Sequence, residues 1–363
     1  MTGQGHQTFV DVLARFAAGR ADARVTAIAE RAAKPLRVVV RGRPGVGCGT
    51  VARALDRAGI ASGISAATGP TSPACAADIV VYVTAEVIKP EDSDAVAATG
   101  RPLLAVLNKA DLAGSLSGRA GEGPIAAART RCAEFSALLG VPMEPMIGLL
   151  GVAALDGLDG ALWSALRALA ADPGGAGCLD GSFAGFLAAN NPVPTDVRLR
   201  LLDTLDLFGT ALGVAAVRRG GTPAQVRALL RRISGVDAVL DQIAVVGAEV
   251  RYRRMLRAVA ELEAVAVSHD EIAGQIGGFL SRDDTVRARM AAAVDLAEAA
   301  GLQVDPADTD GDDPAAHLPR AVRWQRYARG PVSDLHRACG ADIARGSLRL
   351  WSQACGSLPG GSW

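Results

Sequence analysis

Lysine is almost missing from this chain. Arginine supplies nearly all of the 38 basic residues, because Lys34, Lys89 and Lys109 are the only lysines. The 38 acidic residues balance them to a formal net charge of zero, and without an excess of one sign there is no field to gather nucleic acid or an anionic membrane. Aromatic residues make up only 4%, so aliphatic side chains must fill the core. The four histidines, His6, His269, His317 and His336, stand far apart and form no catalytic or metal constellation. The six cysteines, Cys48, Cys75, Cys132, Cys178, Cys339 and Cys355, include no C-x-x-C pair and have no histidine at zinc spacing. Scattered thiols behind a polar and then amphipathic start, rather than a secretory segment, read as reduced and cytoplasmic. No run of about 18 apolar residues is present to span a bilayer, which leaves room only for weak peripheral membrane contact.

What is present is a chain of 363 residues, half of them apolar. That is enough for two domains with cores of their own. Apolar spacings of three and four predict helix over 8–33. A β-branched run at 36–40 leads into a glycine loop and a helix over 50–56. Buried-strand runs follow at 78–83 and 102–107, separated by 91–99. Helical patterns lie at 125–139 and 158–170, with a weaker strand over 141–147. Strands alternating with helices predict a parallel, doubly wound α/β sheet. After 173–177 the strand patterns stop. Helices are predicted at 196–218, 223–233, 236–267, 270–280 and 284–300, then an acidic loop at 305–313 and helix from 317 onward. The expected organisation is therefore an α/β domain over 35–172, a linker over 173–195 and an all-helical bundle over 196–363, with the helix of 1–34 packing on the bundle.

Two segments carry chemistry. The first is Gly42-Arg43-Pro44-Gly45-Val46-Gly47-Cys48-Gly49-Thr50, between a strand and a helix as a phosphate-binding P-loop requires. In such a loop backbone N–H groups cradle phosphates, a lysine supplies point charge and the next hydroxyl ligates Mg²⁺. Here Cys48 stands at the lysine position, Gly49 at the hydroxyl position, and Thr50 comes one residue late. The backbone cradle survives and the side-chain chemistry does not. A glycine-rich turn that binds nothing is the plain alternative. Cys48 reads either as a steric replacement or as a thiol with a pKa lowered by the helix N-terminus.

The second segment is Asn108-Lys109-Ala110-Asp111, directly after the third apolar run. An aspartate there can accept from the N1–H and N2 amine of guanine while the lysine stem lies along the purine. A polar strand-to-helix loop is the competing reading.

Together, Gly42 to Thr50 and Asn108 to Asp111 resemble the G domain of GTPases of the translation-factor-related class. Glu144 to Leu149 then occupies the place of the base-contacting loop, with Ile147 and Gly148 at its Ser and Ala positions, so contact there would be through backbone. The departures are specific. About twenty residues, 57–77, stand where switch I and the D-x-x-G of switch II belong; no D-x-x-G occurs, and Thr68, Thr71 and Ser72 take no switch role. The resemblance implies a degenerate, P-loop pseudo-GTPase holding GTP or GDP weakly or not at all, without Mg²⁺ and without hydrolysis, because phosphoryl transfer depends on the charges that are missing.

The helical half, through 201–209, 229–236 and 251–256, is similar to the stalk of mycobacterial dynamin-like proteins of the isoniazid-inducible type. That similarity implies a regulatory or scaffold protein acting through protein contacts, as a homodimer or with a dynamin-like paralogue. The alternatives are an active nucleotide hydrolase that needs a partner, and a membrane-remodelling adaptor with its tip at 264–267.

Overall fold

The computed structural model describes residues 3–19, 22–59, 65–68, 77–114, 123–174, 182–304 and 314–356. Cys75, Cys178, Thr71, Ser72 and the acidic loop 305–313 lie outside them. The chain divides into two compact units, Leu36–Ile243 and the combination of Met1–Pro35 with Ala244–Trp363.

The unit Leu36–Ile243 is built on a five-stranded parallel sheet. Its strands are β1 (Val38–Gly42), β2 (Ser65–Thr68), β3 (Ile79–Ala85), β4 (Leu103–Asn108) and β5 (Met143–Pro145), in the order β2-β1-β3-β4-β5. Register is set by pairs such as Val40 with Val81, Val81 with Leu104 and Val106 with Glu144. β3 and β4 are buried along nearly their whole length, as a parallel sheet covered on both faces demands.

The helices of this unit are α3 (Cys48–Arg57), α4 (Pro90–Ala97), α5 (Pro124–Leu139), α6 (Gly148–Asp156), α7 (Gly160–Ala171), α8 (Phe183–Ala188), α9 (Thr195–Arg218) and α10 (Pro223–Ser234), with the first turns of α11 (Val236–Ser268). Four of these features escape the periodicity of the sequence. β2 is a strand of four residues within 57–77. α4 is fixed by Asp92, whose side chain accepts from the Lys89 amide, and by Pro90 at its first position. α6 fills 148–156. α8 lies inside the expected linker, where Phe186 is fully buried and Arg198 donates to the carbonyls of Phe186 and Ala189.

The domain boundary is therefore corrected. Helices over 195–234 belong to the sheet unit rather than to a separate bundle, because Leu201, Leu205, Val214, Val226 and Leu230 are buried in the same core as Leu107, Leu150 and Leu166. An all-helical pattern says nothing about which neighbour receives its apolar face.

Among the described residues the other unit is all-helical: α1 (Gln4–Ala18), α2 (Ala23–Ala33), the rest of α11, α12 (Asp270–Ser281), α13 (Asp283–Ala299), α14 (Pro314–Arg329) and α15 (Asp334–Gly356). The single helix expected over 8–33 is two, because Asp22 caps the amides of Arg24 and Val25 and starts a new one. α1 lies on α13 so closely that a Cβ on Gly5 would come within 2.2 Å of the Ala291 carbonyl carbon. Phe16 stacks on Phe279 at 4.2 Å. A buried polar knot, Tyr252 and Arg289 donating to Asp342 at 2.9 and 2.7 Å, crosses the core. Of the expected tip at 264–267, Val267 is exposed, whereas Val265 and Ala266 pack against the core.

No single helix among the described residues is long and apolar enough to cross a membrane. The bent pair α6 and α7 passes by length and composition only, and its Leu150, Leu166 and Leu169 are core residues of the sheet unit.

Candidate functional site

β1 ends at Gly42, and the chain turns through Gly45 and Gly47, with φ of 86° and 90°, before α3 begins. Glycine enters this left-handed region without strain. The first amides of α3 have no intrahelical acceptor and add positive potential at the loop, which is what an anion would meet.

Cys48 does not reach over the loop. Its Sγ is folded beneath it, 2.9 Å from where a Cβ on Gly42 would stand, and only 4% of the residue is exposed. Burial pushes its thiol pKa up. This corrects the reading of an activated thiol: desolvation outweighs the helix N-terminus. Thr50 turns a methyl toward Gly148. Gly49 is exposed with open space around it.

Arg43, the loop's arginine, points away as well. Its Nε donates to Asp92 at 2.8 Å, and Asp92 also accepts from the Tyr82 hydroxyl at 2.8 Å. Burial alone would raise the Asp92 pKa, but Arg43, the Lys89 amide and Tyr82 together hold it below the usual carboxylate range. The ion pair anchors the base of the loop instead of facing a ligand.

β4 delivers the second segment. The Asn108 side chain is the hinge of the arrangement: its Nδ2 donates to the Val46 carbonyl at 2.8 Å, and its Oδ1 accepts from the Gly148 amide at 2.9 Å. Glycine is required at Gly47 twice over, since a Cβ there would lie 2.4 Å from Asn108 Nδ2. Lys109 adopts φ 57° and ψ 42° and donates from Nζ to the Gly45 carbonyl at 3.0 Å. Ala110 donates to the Met146 carbonyl at 3.2 Å. Asp111, in the short 3-10 turn Ala110–Ala113, is 8% exposed. Burial and then the negative charge of Asp206 raise its pKa, against the pull of its own amide and Lys109.

The structure thus joins the glycine loop, Asn108 to Asp111 and the 147–148 corner. It also corrects one contact. The amides of Ile147 and Gly148, expected to face a base, are already bonded to the Ser234 carbonyl and to Asn108. The next amides of α6 are the ones left without intrahelical acceptors.

Two participants come from far along the chain and carry no local signal. Ser234 closes α10 against the 147 corner. Asp206 stands inside α9 with φ 60° and ψ −179°, a conformation costing about 1–3 kcal/mol for any residue but glycine. No protein-family profile matches the chain, and no curated protein matches it.

Proposed function

We propose that the unit Leu36–Ile243 is a degenerate P-loop G domain that holds a guanine nucleotide through backbone and Asp111, lacks the groups for hydrolysis, and works through protein contacts. The observation carrying this reading is Asn108, whose two side-chain bonds tie the glycine loop to the 147–148 corner. Such cross-bracing serves a site that must present phosphate donors and a base-binding carboxylate at fixed separation. The sheet order, with the glycine loop on a central strand between β2 and β3, supports it too, since ligands in open parallel sheets bind at the carboxyl ends of the strands.

Asp111 is the group assigned to the base. It is buried, and no other described side chain bonds it, so its acceptor capacity is kept for a ligand with adjacent N–H donors such as the N1–H and N2 amine of guanine. At the phosphate end the chain offers backbone amides, the start of α3 and the Lys109 ammonium beside Gly45. Cys48 lies beneath the loop and Arg43 is held by Asp92, so neither supplies charge to a transferring phosphoryl group. Positioning and charge are nearly the whole of phosphoryl-transfer catalysis. Weak binding without turnover is the consequence. Of its tip the membrane-adaptor alternative keeps Ala264 and Val267 exposed, while Val265 and Ala266 pack against the core.

The test is a titration of the full chain with fluorescent GDP and GTP, with and without Mg²⁺, beside Asp111→Ala. Micromolar binding that Asp111→Ala weakens by tenfold or more and that is indifferent to Mg²⁺, with no phosphate release above background, is expected. Binding unchanged in Asp111→Ala would remove the base assignment, and phosphate release that rises with an added partner would favour an active hydrolase.

A further inference from the structure

The helical unit leaves two surfaces uncovered, and their chemistry is complementary. The first lies on α14 and α15. Arg320 Nε donates to Ser347 Oγ at 2.7 Å, and a Cβ on Gly340 would come within 3.0 Å of the Trp324 carbonyl oxygen. The two helices therefore run antiparallel, with Leu318 and Val322 level with Leu348 and Trp351. All four of these apolar side chains are exposed. At spacings of four, four and three, Leu318, Val322, Arg326 and Arg329 form one stripe of α14. Arg326 and Arg329 are exposed and bond no described side chain. No acidic residue occurs over 314–333 or 343–356, so the face is apolar with a purely basic rim.

The second surface is the corner where α11 gives way to α12. Val267 is 86% exposed, more than any other large apolar residue among those described. Glu263, one turn before it, and Asp270 and Glu271 just after it are exposed and form no hydrogen bond or ion pair among the described residues. An apolar knob ringed by carboxylates is opposed by the negative surface of a membrane. It suits an apolar surface with a basic rim.

Neither surface suits its own copy, since arginine would meet arginine and carboxylate would meet carboxylate. Each suits the other. We propose that the Val267 knob docks on the α14 and α15 face of a second copy of this chain, with Val267 against Leu318, Val322, Leu348 and Trp351, and with Glu263, Asp270 and Glu271 opposite Arg326 and Arg329. The two surfaces differ, so the contact is heterologous and repeats from copy to copy. This names a partner for the protein contacts of the reading above and does not depend on nucleotide binding.

The experiment measures molar mass by sedimentation of the nucleotide-free full chain over a concentration series, as wild type, as Val267→Asp and as the double variant Arg326→Glu with Arg329→Glu. Every substituted residue is exposed, and circular dichroism confirms that each variant unfolds like the wild type. The wild type is expected to grow past a dimer as concentration rises. Raising the salt from about 0.15 M to 1 M, which shortens the screening length from about 8 to 3 Å, should weaken the association. Each variant alone should associate about tenfold or more weakly. An equal mixture of the two variants should recover a one-to-one dimer and nothing larger, because each supplies the surface that the other lacks. A wild type that stays monomeric or stops at a dimer, association indifferent to salt, a variant that assembles like the wild type, or a mixture that stays monomeric overturns the proposal. All of these outcomes leave the guanine-nucleotide reading standing, which is tested by Asp111→Ala.

Discussion

At the scale of single residues, Asn108 carries more of the site than any charged group. Its amide satisfies one buried carbonyl and one buried amide at once. Replacing it by alanine leaves the Val46 carbonyl and the Gly148 amide without partners at about 1–3 kcal/mol for each unmade bond. Asn108→Ala should therefore lower unfolding free energy by about 2–6 kcal/mol in urea titration and abolish nucleotide binding. A loss below about 1 kcal/mol would mean that water replaces both bonds. His6 gives a second residue-scale expectation. Burial first, with Arg251 and Arg254 adding to it against a bond to the Ala32 carbonyl, lowers its pKa to about 4. The neutral form is the folded one, so its contribution is complete above the unfolded value of about 6.5 and is lost as pH falls from there through about 4. Up to about 3 kcal/mol is at stake, and His6→Gln should flatten the acid limb of stability measured between pH 7 and 4.

At the scale of elements, α12 is weaker than its position requires. Gly274, Gly277 and Gly278 are exposed, lie in ordinary helical backbone, and a Cβ on any of them would meet nothing within 4 Å. Glycine inside a helix costs about 0.5–1 kcal/mol against alanine. Gly277→Ala and Gly278→Ala should each raise stability by about that amount in thermal unfolding, and a decrease would show that the open face is occupied in solution. α9 makes the opposite point. Its periodicity reads as one straight helix over 196–218, yet the backbone breaks at Asp206, just before Gly209 packs against Leu150.

At the scale of the whole molecule, the division at Ile243 makes a direct prediction. A fragment ending at residue 172 discards α9 and α10, whose Leu201, Leu205, Val226 and Leu230 are fully buried in the sheet unit. It also discards the Ser234 carbonyl that holds Ile147. Residues 36–243 should unfold in one cooperative transition followed by circular dichroism, and residues 36–172 should show none. Cooperative unfolding of the shorter piece would restore the boundary that composition places at 173–195.

The chain by itself determined the parallel α/β character, the glycine loop, the Asn108 to Asp111 segment after a buried strand, and the helical remainder, because each is written in short-range periodicity or in the backbone demands of glycine. Only tertiary structure decided that Cys48 tucks under its loop, that Arg43 serves Asp92, that helices 195–234 belong with the sheet, and that α9 breaks at Asp206. These depend on contacts between residues tens of positions apart or more, and an apolar face or a charge records only that it will be buried or paired, never by which distant part of the chain.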